Sequence, residues 1–338
     1  MAPYRLSVVV VTYNSREDIV RTLPAVAEQL SEGDELVVVD NASSDHTPDV
    51  AEGHATLVVR NGANEGFAAA ANAGAARATG DLLVFLNPDA APGPDFAEAI
   101  AAPLEDGRGW AAWMGLVTAE EGRIVNTSGG VVHFTGIAWA GEFGKPAGDV
   151  PHEPREVGFA SGACLAVPRE NWPGFPEHFF MYCEDVDLSL RLRLAGGTVG
   201  IEPRARVDHT YEFAKGETKW RLLERNRWAT VIRTYPLPLL VLVAPALLAA
   251  EPMILLAALA GGWGQQKLLA TLDVITRLPR LLGERRRIQA RRAVAAGDFA
   301  RALVPELSSP FLGRAGRLPL VAGLLDAYWR LVLLALRA

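Results

Sequence analysis

The first 90 residues alternate short apolar runs with longer segments of helical spacing. An apolar run of about five residues, bounded by turn residues, predicts a strand that is buried on both faces. Such runs occupy residues 6–11, 35–39, 56–60 and 82–86, and helical segments occupy residues 16–30 and 67–78. Strands that alternate with helices are typical of parallel βαβ units. The pattern therefore predicts an α/β fold with a mostly parallel central sheet.

Polar residues follow three of these predicted strands at the point where each strand ends. They are Thr12, Tyr13 and Asn14 after the first strand, Asp40 after the second, and Asn87 and Asp89 after the fourth. Ligands bind at the carboxyl edge of an open α/β sheet, so these side chains are candidates for a binding site. An Asn and an Asp two residues apart can hold a divalent cation through oxygen. An ordinary turn remains the alternative, because Asn, Pro and Asp are common turn residues.

The middle of the chain has a less regular pattern. Residues 107–158 are rich in glycine and carry short β-like pieces, which indicates mixed sheet and loops. A small-residue turn at residues 161–163 interrupts the apolar run 159–167, and residues 179–195 have helical spacing. Acidic residues crowd the start of that predicted helix, as the helix macrodipole also favours. Two further strand-like pieces follow at residues 198–201 and 207–209.

Beyond residue 235 the chain becomes almost wholly apolar. Residues 236–263 are long enough to cross a bilayer. Pro238, Pro245, Pro252 and Glu251 argue against a straight spanning helix, so a hairpin in one leaflet and a broken spanning segment are both open. Residues 268–282 are amphipathic and lead into three arginines, and a second apolar stretch at 318–336 offers Tyr328 and Trp329 as interfacial anchors. A soluble helical bundle or an oligomer interface is the alternative.

Composition sharpens the contrast between the two halves. The net charge is −6, yet the part from residue 263 onward contains 13 basic and five acidic residues, which leaves −14 for the rest. A basic tail on an acidic body indicates an anionic membrane surface or another polyanion; we expect no nucleic-acid partner. Two cysteines cannot form a disulfide framework, which indicates a reducing compartment. The first residues show no signal-peptide pattern.

Four motifs together resemble a known family. They are the run at 8–14 that ends in Thr-Tyr-Asn, Asp-Asn-Ala-Ser-Ser-Asp at 40–45, Asn-Glu-Gly-Phe at 64–67, and Asn-Pro-Asp at 87–89. In this combination they resemble family 2 of the glycosyltransferases, and the resemblance extends to residue 209. It implies the GT-A fold and an inverting transfer from a nucleotide-diphosphate sugar. The rhamnosyltransferase-like branch is the most similar, because Asn-Pro-Asp replaces Asp-x-Asp and an Arg-Asn pair stands at 225–226.

The resemblance also implies a role for individual residues. The general base would be Asp185; the nucleotide-sugar site would comprise Thr12, Tyr13, Asn14, Asp40, Asn64, Gly66, Phe67 and Asn87; the metal ligands would be Asp89 and His209; and Ser161, Gly162 and Glu184 would lie on the acceptor side. The metal would be Mg²⁺ or Mn²⁺. Backbone N–H groups of the glycine loop at 64–67 are expected to meet phosphate, as helix N-termini commonly do.

These expectations combine into one hypothesis with two alternatives. A catalytic domain at 1–235 would transfer a sugar, L-rhamnose from dTDP-rhamnose or a sugar from a UDP donor, to a lipid-linked or envelope glycan. A helical region at 236–338 would hold the enzyme at the cytoplasmic face of the membrane or mediate self-association. A sugar-phosphate nucleotidyltransferase usually needs a basic, glycine-rich loop after the first strand, and Thr12–Ser15 is not such a loop. The third class is a non-catalytic membrane scaffold.

Overall fold

The computed structural model describes residues 4–209, 218–308 and 318–337. The chain divides into two compact units, and three segments contribute to each. The first unit consists of Met1–Gly130, Ala140–Leu192 and Gly197–Glu212, and the second of Val131–Trp139, Arg193–Gly196 and Phe213–Ala338. The functional division expected at residue 235 stays a prediction.

Strands and helices alternate in the first part of the chain. In chain order they are β1 (Leu6–Thr12), α1 (Arg16–Ala27), β2 (Glu35–Asp40), α2 (Thr47–Glu52), β3 (Leu57–Arg60), α3 (Phe67–Arg77), β4 (Leu82–Leu86), β5 (Ala90–Pro92), α4 (Phe96–Glu105), β6 (Trp110–Ala119), β7 (Ile124–Thr127), β8 (Gly130–Val132), β9 (Ala138–Ala140), β10 (Arg155–Glu156), β11 (Cys164–Pro168), α5 (Glu184–Leu194) and β12 (Thr198–His209). The main sheet has the order β10-β12-β6-β11-β4-β1-β2-β3.

The parallel part of this sheet confirms the predicted α/β architecture. β1 lies between β4 and β2 and is parallel to both, and β3 extends the sheet beyond β2. All five residues of β4 are buried, as expected for a strand covered on both faces. Thr12 pairs with Asp40 and Val10 with Leu86 in the strand register. The polar residues that follow β4, β1 and β2 therefore leave one common edge of the sheet.

The second half of the sheet brings distant parts of the chain to that edge. β11 runs antiparallel between β4 and β6, and β12 is parallel to β6. The two short pieces predicted at 198–201 and 207–209 are one strand, with a register irregularity between Glu202 and Arg206. β5 pairs antiparallel with the end of β12, where Ala90 lies opposite His209. This pairing places the end of β12 beside the residues that follow β4.

The helix predicted from residue 179 begins five residues later. α5 starts at Glu184, and the preceding turn contains Phe180, Tyr182 and Cys183 with φ of 66°, 70° and 64°. An α-helix needs negative φ at every residue, so these three conformations exclude a helix here. Positive φ at bulky residues is strained and persists only where surrounding contacts impose it.

The second unit is helical in its described C-terminal part. Its helices are α6 (Thr218–Thr234), α7 (Leu237–Ala260), α8 (Gly264–Ala290), α9 (Ala296–Ala300) and α10 (Pro319–Ala335). Within the described residues, only α7 has the length and apolar composition of a membrane span; 17% of its most apolar 18-residue window is buried. α7 is continuous although Pro245 and Pro252 lie inside it, so the expected break in this segment is absent.

Two residues proposed as interfacial anchors lie inside the second unit instead. Trp329 is only 4% exposed and stacks on Phe134, with ring centroids 5.0 Å apart. The Tyr328 hydroxyl donates a hydrogen bond to the carbonyl oxygen of Leu242 on α7. Both aromatic residues therefore hold α10 to its own unit; the burial of Trp329 corrects the expectation that it reaches a membrane interface, and the same expectation for the half-buried Tyr328 stays a prediction.

Candidate active site

Asp40, at the end of β2, is buried and already accepts three hydrogen bonds from the protein. Its Oδ1 accepts from Thr12 Oγ1 at 3.0 Å and from Ser43 Oγ at 2.5 Å, and its Oδ2 accepts from the Ser43 N–H at 3.0 Å. A carboxylate has about four acceptor positions. Asp40 therefore holds the loop after β2 in place and keeps about one position for a ligand.

The loop after β1 is tied to the loop after β2 through Asn14. The Asn14 N–H donates to Ser43 Oγ at 2.8 Å, and its side-chain Oδ1 accepts from the Ser44 N–H at 2.8 Å. Asn14 has φ of 50°, a conformation that Asn tolerates better than most residues. Tyr13 is half exposed, and Asn14 beside it is exposed as well, whereas Thr12 is buried. Asn14 thus orders the site, whereas Tyr13 offers a surface to a ligand.

The glycine loop before α3 is closed by the turn that precedes α5. The Gly66 N–H donates to Asn64 Oδ1 at 3.0 Å, and the Ala68 N–H donates to the Phe180 carbonyl at 3.0 Å. Gly66 has φ of 85°, and a Cβ there would lie 2.5 Å from the Phe180 ring. The Gly66 N–H is therefore already paired in this conformation, as is the Ala68 N–H just beyond the predicted loop, and phosphate binding by the N–H groups of residues 64–67 stays a prediction. The glycine is needed because the Phe180 backbone and ring approach it so closely.

Asn87, Asp89 and His209 meet at the edge of the sheet. His209 Nε2 lies 2.9 Å from Asp89 Oδ1 and 3.2 Å from Asn87 Nδ2. One ring nitrogen cannot donate to the carboxylate and accept from the amide at the same time. A cation between Asp89 and His209 would remove this competition, because it accepts an electron pair from each of them. Both side chains are almost buried, at 11% and 4% exposure.

The donor set at this point fits a divalent cation that has two protein ligands. A carboxylate oxygen suits Mg²⁺ or Mn²⁺, and an imidazole nitrogen favours Mn²⁺ of the two. Across residues 4–209, 218–308 and 318–337 no group of three His, Cys, Asp or Glu side chains is arranged to hold a metal by itself. A cation here would therefore draw its remaining ligands from substrate and water.

Asp185 is fixed at the start of α5 by two backbone N–H groups. Its Oδ2 accepts from the Gly162 N–H at 2.9 Å, and its Oδ1 accepts from the Val186 N–H at 2.8 Å. Burial raises the pKa of this carboxyl, while the bonds from Gly162 and Val186 counteract the rise. A half-buried carboxylate with a raised pKa and a fixed orientation has the properties of a general base.

Glu184, beside it, is more deeply buried. It is 7% exposed, and its Oε2 has no hydrogen-bond partner among the described residues. Burial, followed by the negative charges of Asp185 and Asp187, raises its pKa to about 8. Glu184 is therefore mostly protonated at neutral pH, and the start of α5 contains a neutral acid beside Asp185.

The Ser161–Ala163 turn connects Asn87, at the edge of the sheet, with Asp185 at the start of α5. The Asn87 N–H donates to the Ala163 carbonyl at 3.1 Å, and the Ala163 N–H contacts Ser161 Oγ at 3.4 Å. A Cβ placed on Gly162 would lie 3.7 Å from Asp185 Oδ2 and 3.8 Å from the Phe67 ring. The predicted base, the glycine loop and the strand-end Asn87 are thus joined through one short turn of the first unit.

Two residues that matter for this geometry were missed in the sequence. Ser43 completes the hydrogen bonds of Asp40, and an Asp followed three residues later by Ser is a recognisable turn signal. Phe180 closes the glycine loop, and nothing in its local sequence marks it. The Arg225–Asn226 pair belongs to the second unit, where Arg225 Nε donates to Asn226 Oδ1 at 2.9 Å.

Comparison with known proteins places this geometry among sugar-transferring enzymes. The family model for glycosyl transferase family 2 matches residues 7–137. The N-acetylglucosaminyl-diphospho-decaprenol L-rhamnosyltransferase of Mycobacterium tuberculosis is 30% identical over 257 residues, which cover 67% of this chain and 83% of the relative. An uncharacterized glycosyltransferase of Haemophilus influenzae is 30% identical over 101 residues, covering 30% of this chain and 34% of its own.

A solved structure extends the comparison to the fold. The crystal structure of GalNAc-T7 with UDP, GalNAc and Mn²⁺ superposes with a TM-score of 0.56 at 19% sequence identity. The superposition covers 69% of this chain and 48% of that one. At this level of identity the likeness concerns the fold, a central sheet with its ligand edge, and not the chemistry of single residues.

Proposed function

The chain belongs to family 2 of the glycosyltransferases, and we propose that it transfers one sugar, with inversion, from a nucleoside diphosphate to a lipid-linked acceptor. It is a glycosyltransferase of the GT-A fold that uses a nucleotide-sugar donor. The observation that carries the proposal is the position of Asp185, which the Ser161–Ala163 turn holds and connects to Asn87. In this arrangement a base and a diphosphate site share one rigid support.

The nucleotide is proposed to bind at the ends of β1 and β2. Asp40 has about one acceptor position left for a ribose hydroxyl or a base N–H. Thr12 and Asn14 keep the two loops in register, and the exposed Tyr13 ring offers a face for stacking. Asn64 and Phe67 border the same donor region from the glycine loop. These contacts would fix the donor before its sugar reaches Asp185.

The diphosphate is proposed to lie at Asp89 and His209. Mg²⁺ or Mn²⁺ bound there would neutralise the charge that builds up on the leaving nucleoside diphosphate. Asn87 stands 3.2 Å from His209 Nε2 and is placed to orient that ring. Asp89 supplies the carboxylate charge, since Asn87 is neutral. Asp89 and His209 therefore act on the leaving group, whereas Asp185 acts on the acceptor.

Asp185 is proposed to act as the general base. The acceptor oxygen attacks the anomeric carbon, the bond from that carbon to the diphosphate oxygen breaks, and the acceptor proton moves to Asp185. A single displacement of this kind inverts the configuration. Because burial raises the pKa of Asp185, transfer should fall as the pH drops and the carboxyl becomes protonated. The buried Glu184, with Ser161 and Gly162, would form the acceptor side of this base.

The proposed substrates follow from the mycobacterial relative, whose name describes the transfer of L-rhamnose to a diphospho-decaprenol-linked sugar. We take dTDP-L-rhamnose as the first candidate donor, and a UDP-sugar as the second. The acceptor would be a polyprenyl-diphosphate-linked saccharide at the cytoplasmic face of the cell membrane. The exposed apolar helices of the second unit are consistent with that place of action.

A donor panel tests the proposal. The purified chain is incubated with dTDP-rhamnose, UDP-sugars or GDP-mannose and a polyprenyl-diphosphate acceptor, and the released nucleotide is identified. We expect a nucleoside diphosphate, loss of its release with EDTA, and recovery with Mn²⁺ or Mg²⁺. Release of pyrophosphate from a sugar phosphate and a nucleoside triphosphate would favour a nucleotidyltransferase instead. If no donor is turned over or hydrolysed, a non-catalytic scaffold is the remaining explanation.

A further inference from the structure

The second unit exposes an unusual amount of apolar surface on three of its helices. Among the described residues, six large apolar side chains on α7, five on α8 and four on α10 are each at least 38% exposed. α7 contacts both α8 and α10. Soluble proteins rarely expose large apolar side chains in such numbers on adjoining elements, and extended patches of this kind mark interaction surfaces.

The opposite side of α7 is packed against its own unit. Leu239, Val243 and Leu247 recur every four residues and are buried, and Glu251 continues the same row one turn later. Glu251 Oε1 accepts from Arg227 Nη2 at 2.5 Å, and its Oε2 accepts from Lys267 Nζ at 2.6 Å. The one acidic residue of α7 is therefore directed into the protein.

Four charged side chains form a closed ionic cluster at this point. Glu224 completes it, because its Oε2 also accepts from Arg227 at 3.0 Å and from Lys267 at 2.5 Å. The indole N–H of Trp228 adds a bond to Glu251 at 3.0 Å. The cluster holds two cations and two anions, and three of the four side chains are no more than 12% exposed. It locks α7 to α6 and α8.

This cluster conflicts with a membrane-spanning α7. Glu251 is the fifteenth of the helix's 24 residues, so a span would carry it deep into the hydrocarbon layer. Arg227, Glu224 and Lys267 would have to follow it there, which is costly for ionised groups. If they stayed outside, buried ions would lose their partners, which is strongly unfavourable as well. A helix that lies along the membrane surface avoids both costs.

α8 indicates which surface the exposed side chains meet. Its exposed apolar residues form one row, Leu268, Leu272, Ile275, Leu278 and Leu282, and Arg286 continues that row one turn beyond Leu282. Arg286 and its neighbour Arg287 are exposed. Arg285, in contrast, donates to the carbonyl oxygens of Ile232 and Tyr235, so it serves the fold. An apolar row that ends in free-standing arginines matches acyl chains beside anionic headgroups.

We propose that the second unit binds one leaflet of an anionic bilayer, with α7 and α8 lying in the plane of the membrane and no segment of α7 crossing it. The exposed rows of α7, α8 and α10 enter the acyl boundary, and Arg286 and Arg287 contact anionic headgroups. This inference rests on the membrane location in the proposed function and specifies how that location is reached. A second copy of the chain is the competing occupant of the same surface.

Vesicle flotation of the full chain tests the surface. We expect the protein to float with phosphatidylcholine vesicles that contain phosphatidylglycerol, and less with phosphatidylcholine alone. Leu272→Glu with Ile275→Glu should lower flotation at least about tenfold, since two exposed apolar side chains are lost from the interface. Val20→Glu on α1 makes the same chemical change at a site of similar exposure, 54% against 56% and 62%, and should float like the parent. Circular dichroism checks that each variant is folded.

The arginines are tested separately from the apolar row. Arg286→Gln with Arg287→Gln should reduce binding to the anionic vesicles about tenfold and leave binding to neutral vesicles unchanged. Asp185→Asn should float normally, because flotation requires no catalysis. Absence of transfer by the unsubstituted chain, together with normal flotation of that chain, would therefore contradict the proposed function alone. If size-exclusion chromatography with light scattering shows a dimer that the leucine variants dissociate, and no variant changes flotation, the surface is an interface between copies.

Sidedness distinguishes an in-plane helix from a spanning one. Gln265 is exposed at the start of α8, just beyond the end of α7, and His54 is exposed on the first unit. Gln265→Cys and His54→Cys are made separately in a Cys183→Ser background, where the remaining Cys164 is buried. A membrane-impermeant maleimide should give the same result at both sites. Both cysteines should be labelled in one of the two preparations, intact cells or inverted vesicles, and both should be protected in the other. Labelling from opposite sides would overturn the proposal.

Discussion

The two units of this protein place polar and apolar residues in opposite ways. In the first unit, the valines of β1 and β2 are buried and the polar residues stand at the edge of the sheet. In the second unit, Glu224, Arg227 and Lys267 are buried, while leucines cover the outside of α7, α8 and α10. Charged residues therefore form the proposed active site in one unit and hold helices together in the other.

This difference teaches that residue type alone does not identify a functional position. Asp89 and Glu251 are both nearly buried carboxylates that contact a cationic or imidazole partner. Asp89 stands at a strand end, on the edge of the sheet where ligands bind in this class of fold, whereas Glu251 lies in the middle of a helix among three fixed partners. Position in the fold therefore distinguishes the carboxylate proposed to bind the metal from the one that holds helices together, and substitutions in each unit test this difference.

The largest effect is expected for Asp185, the proposed general base in the first unit. Asp185→Asn keeps the size of the side chain and an acceptor for the Gly162 N–H, but it cannot take the acceptor proton. We expect kcat to fall about 10³-fold, since general bases contribute roughly 10²–10⁴, with donor affinity unchanged. Steady-state release of nucleoside diphosphate and calorimetric donor binding measure the two quantities. Transfer at more than a tenth of the parental rate would remove Asp185 as the base.

In the second unit a comparable substitution should act on stability instead of catalysis. Glu251→Leu leaves Arg227 and Lys267 with a single carboxylate, and breaking a buried ion pair in this way costs about 3 kcal/mol. Leu248→Gln, one turn away and 71% exposed, should change the free energy of unfolding by less than about 0.5 kcal/mol. Urea denaturation of both variants measures this. Equal losses would show that the ionic cluster is not what holds α7.

The closed glycine loop tests whether backbone fit matters at the catalytic edge. Gly66→Ala places a Cβ against Phe180 at a φ of 85°, and such backbone strain costs about 2 kcal/mol. Donor turnover should fall together with stability, because Phe180 leads directly into Glu184 and Asp185. Gly62→Ala is the matched control, since its Cβ would meet nothing within 4 Å. Similar behaviour of the two variants would argue against the closed loop.

The smallest effect concerns the buried acid beside the base. The pKa of Glu184 is about 8, above its ordinary value of 4.5. Between pH 4.5 and pH 8, Glu184 therefore keeps its proton in the folded protein, whereas the same residue in the unfolded chain has lost it. The protein is therefore stabilised by the neutral form below pH 4.5 and loses that stability as the pH rises to 8. Glu184→Gln should raise the free energy of unfolding by at least about 1 kcal/mol at pH 8 and by clearly less at pH 5, because the amide carries no charge that must be buried.

Thermal unfolding at both pH values measures this difference. Glu105→Gln, at the exposed end of α4, is the control and should leave both melting temperatures unchanged. A Glu184→Gln variant that is less stable than the parent at pH 8 would show that the carboxylate makes a favourable interaction there.

The sheet edge was predictable because it depends on local pattern. The valine runs indicated buried parallel strands, and parallel strands bring their carboxyl ends to one edge, which is why Thr12 and Asp40 were expected together. The contact of Asp89 with His209 was not readable in this way. It requires β5 to pair with the end of β12, and no local periodicity encodes a pairing between residues 120 positions apart. Only resemblance to a family indicated it.

The wrong predictions have a common physical cause. No glycine or proline occurs between Pro176 and the start of α5, so the sequence permits a helix at residues 179–183. The contact of Phe180 with Ala68 on a distant helix imposes another backbone conformation. Glu251 was expected to interrupt an apolar helix, but its partners lie on other helices, 24 and 16 residues away. In both places tertiary contacts override what the local sequence favours.

The pairing of β5 with β12 also sets the point during synthesis at which the proposed metal site can form. Every strand from β1 to β4 has left the ribosome long before residue 209 is made, and this parallel half can begin to fold as it emerges. Asp89 nevertheless waits for His209, since the two are 120 residues apart. A nascent chain can therefore form the parallel edge with Thr12 and Asp40 before the contact of Asp89 with His209 exists. If these two residues bind the metal as proposed, a chain that ends before β12 should lack donor cleavage.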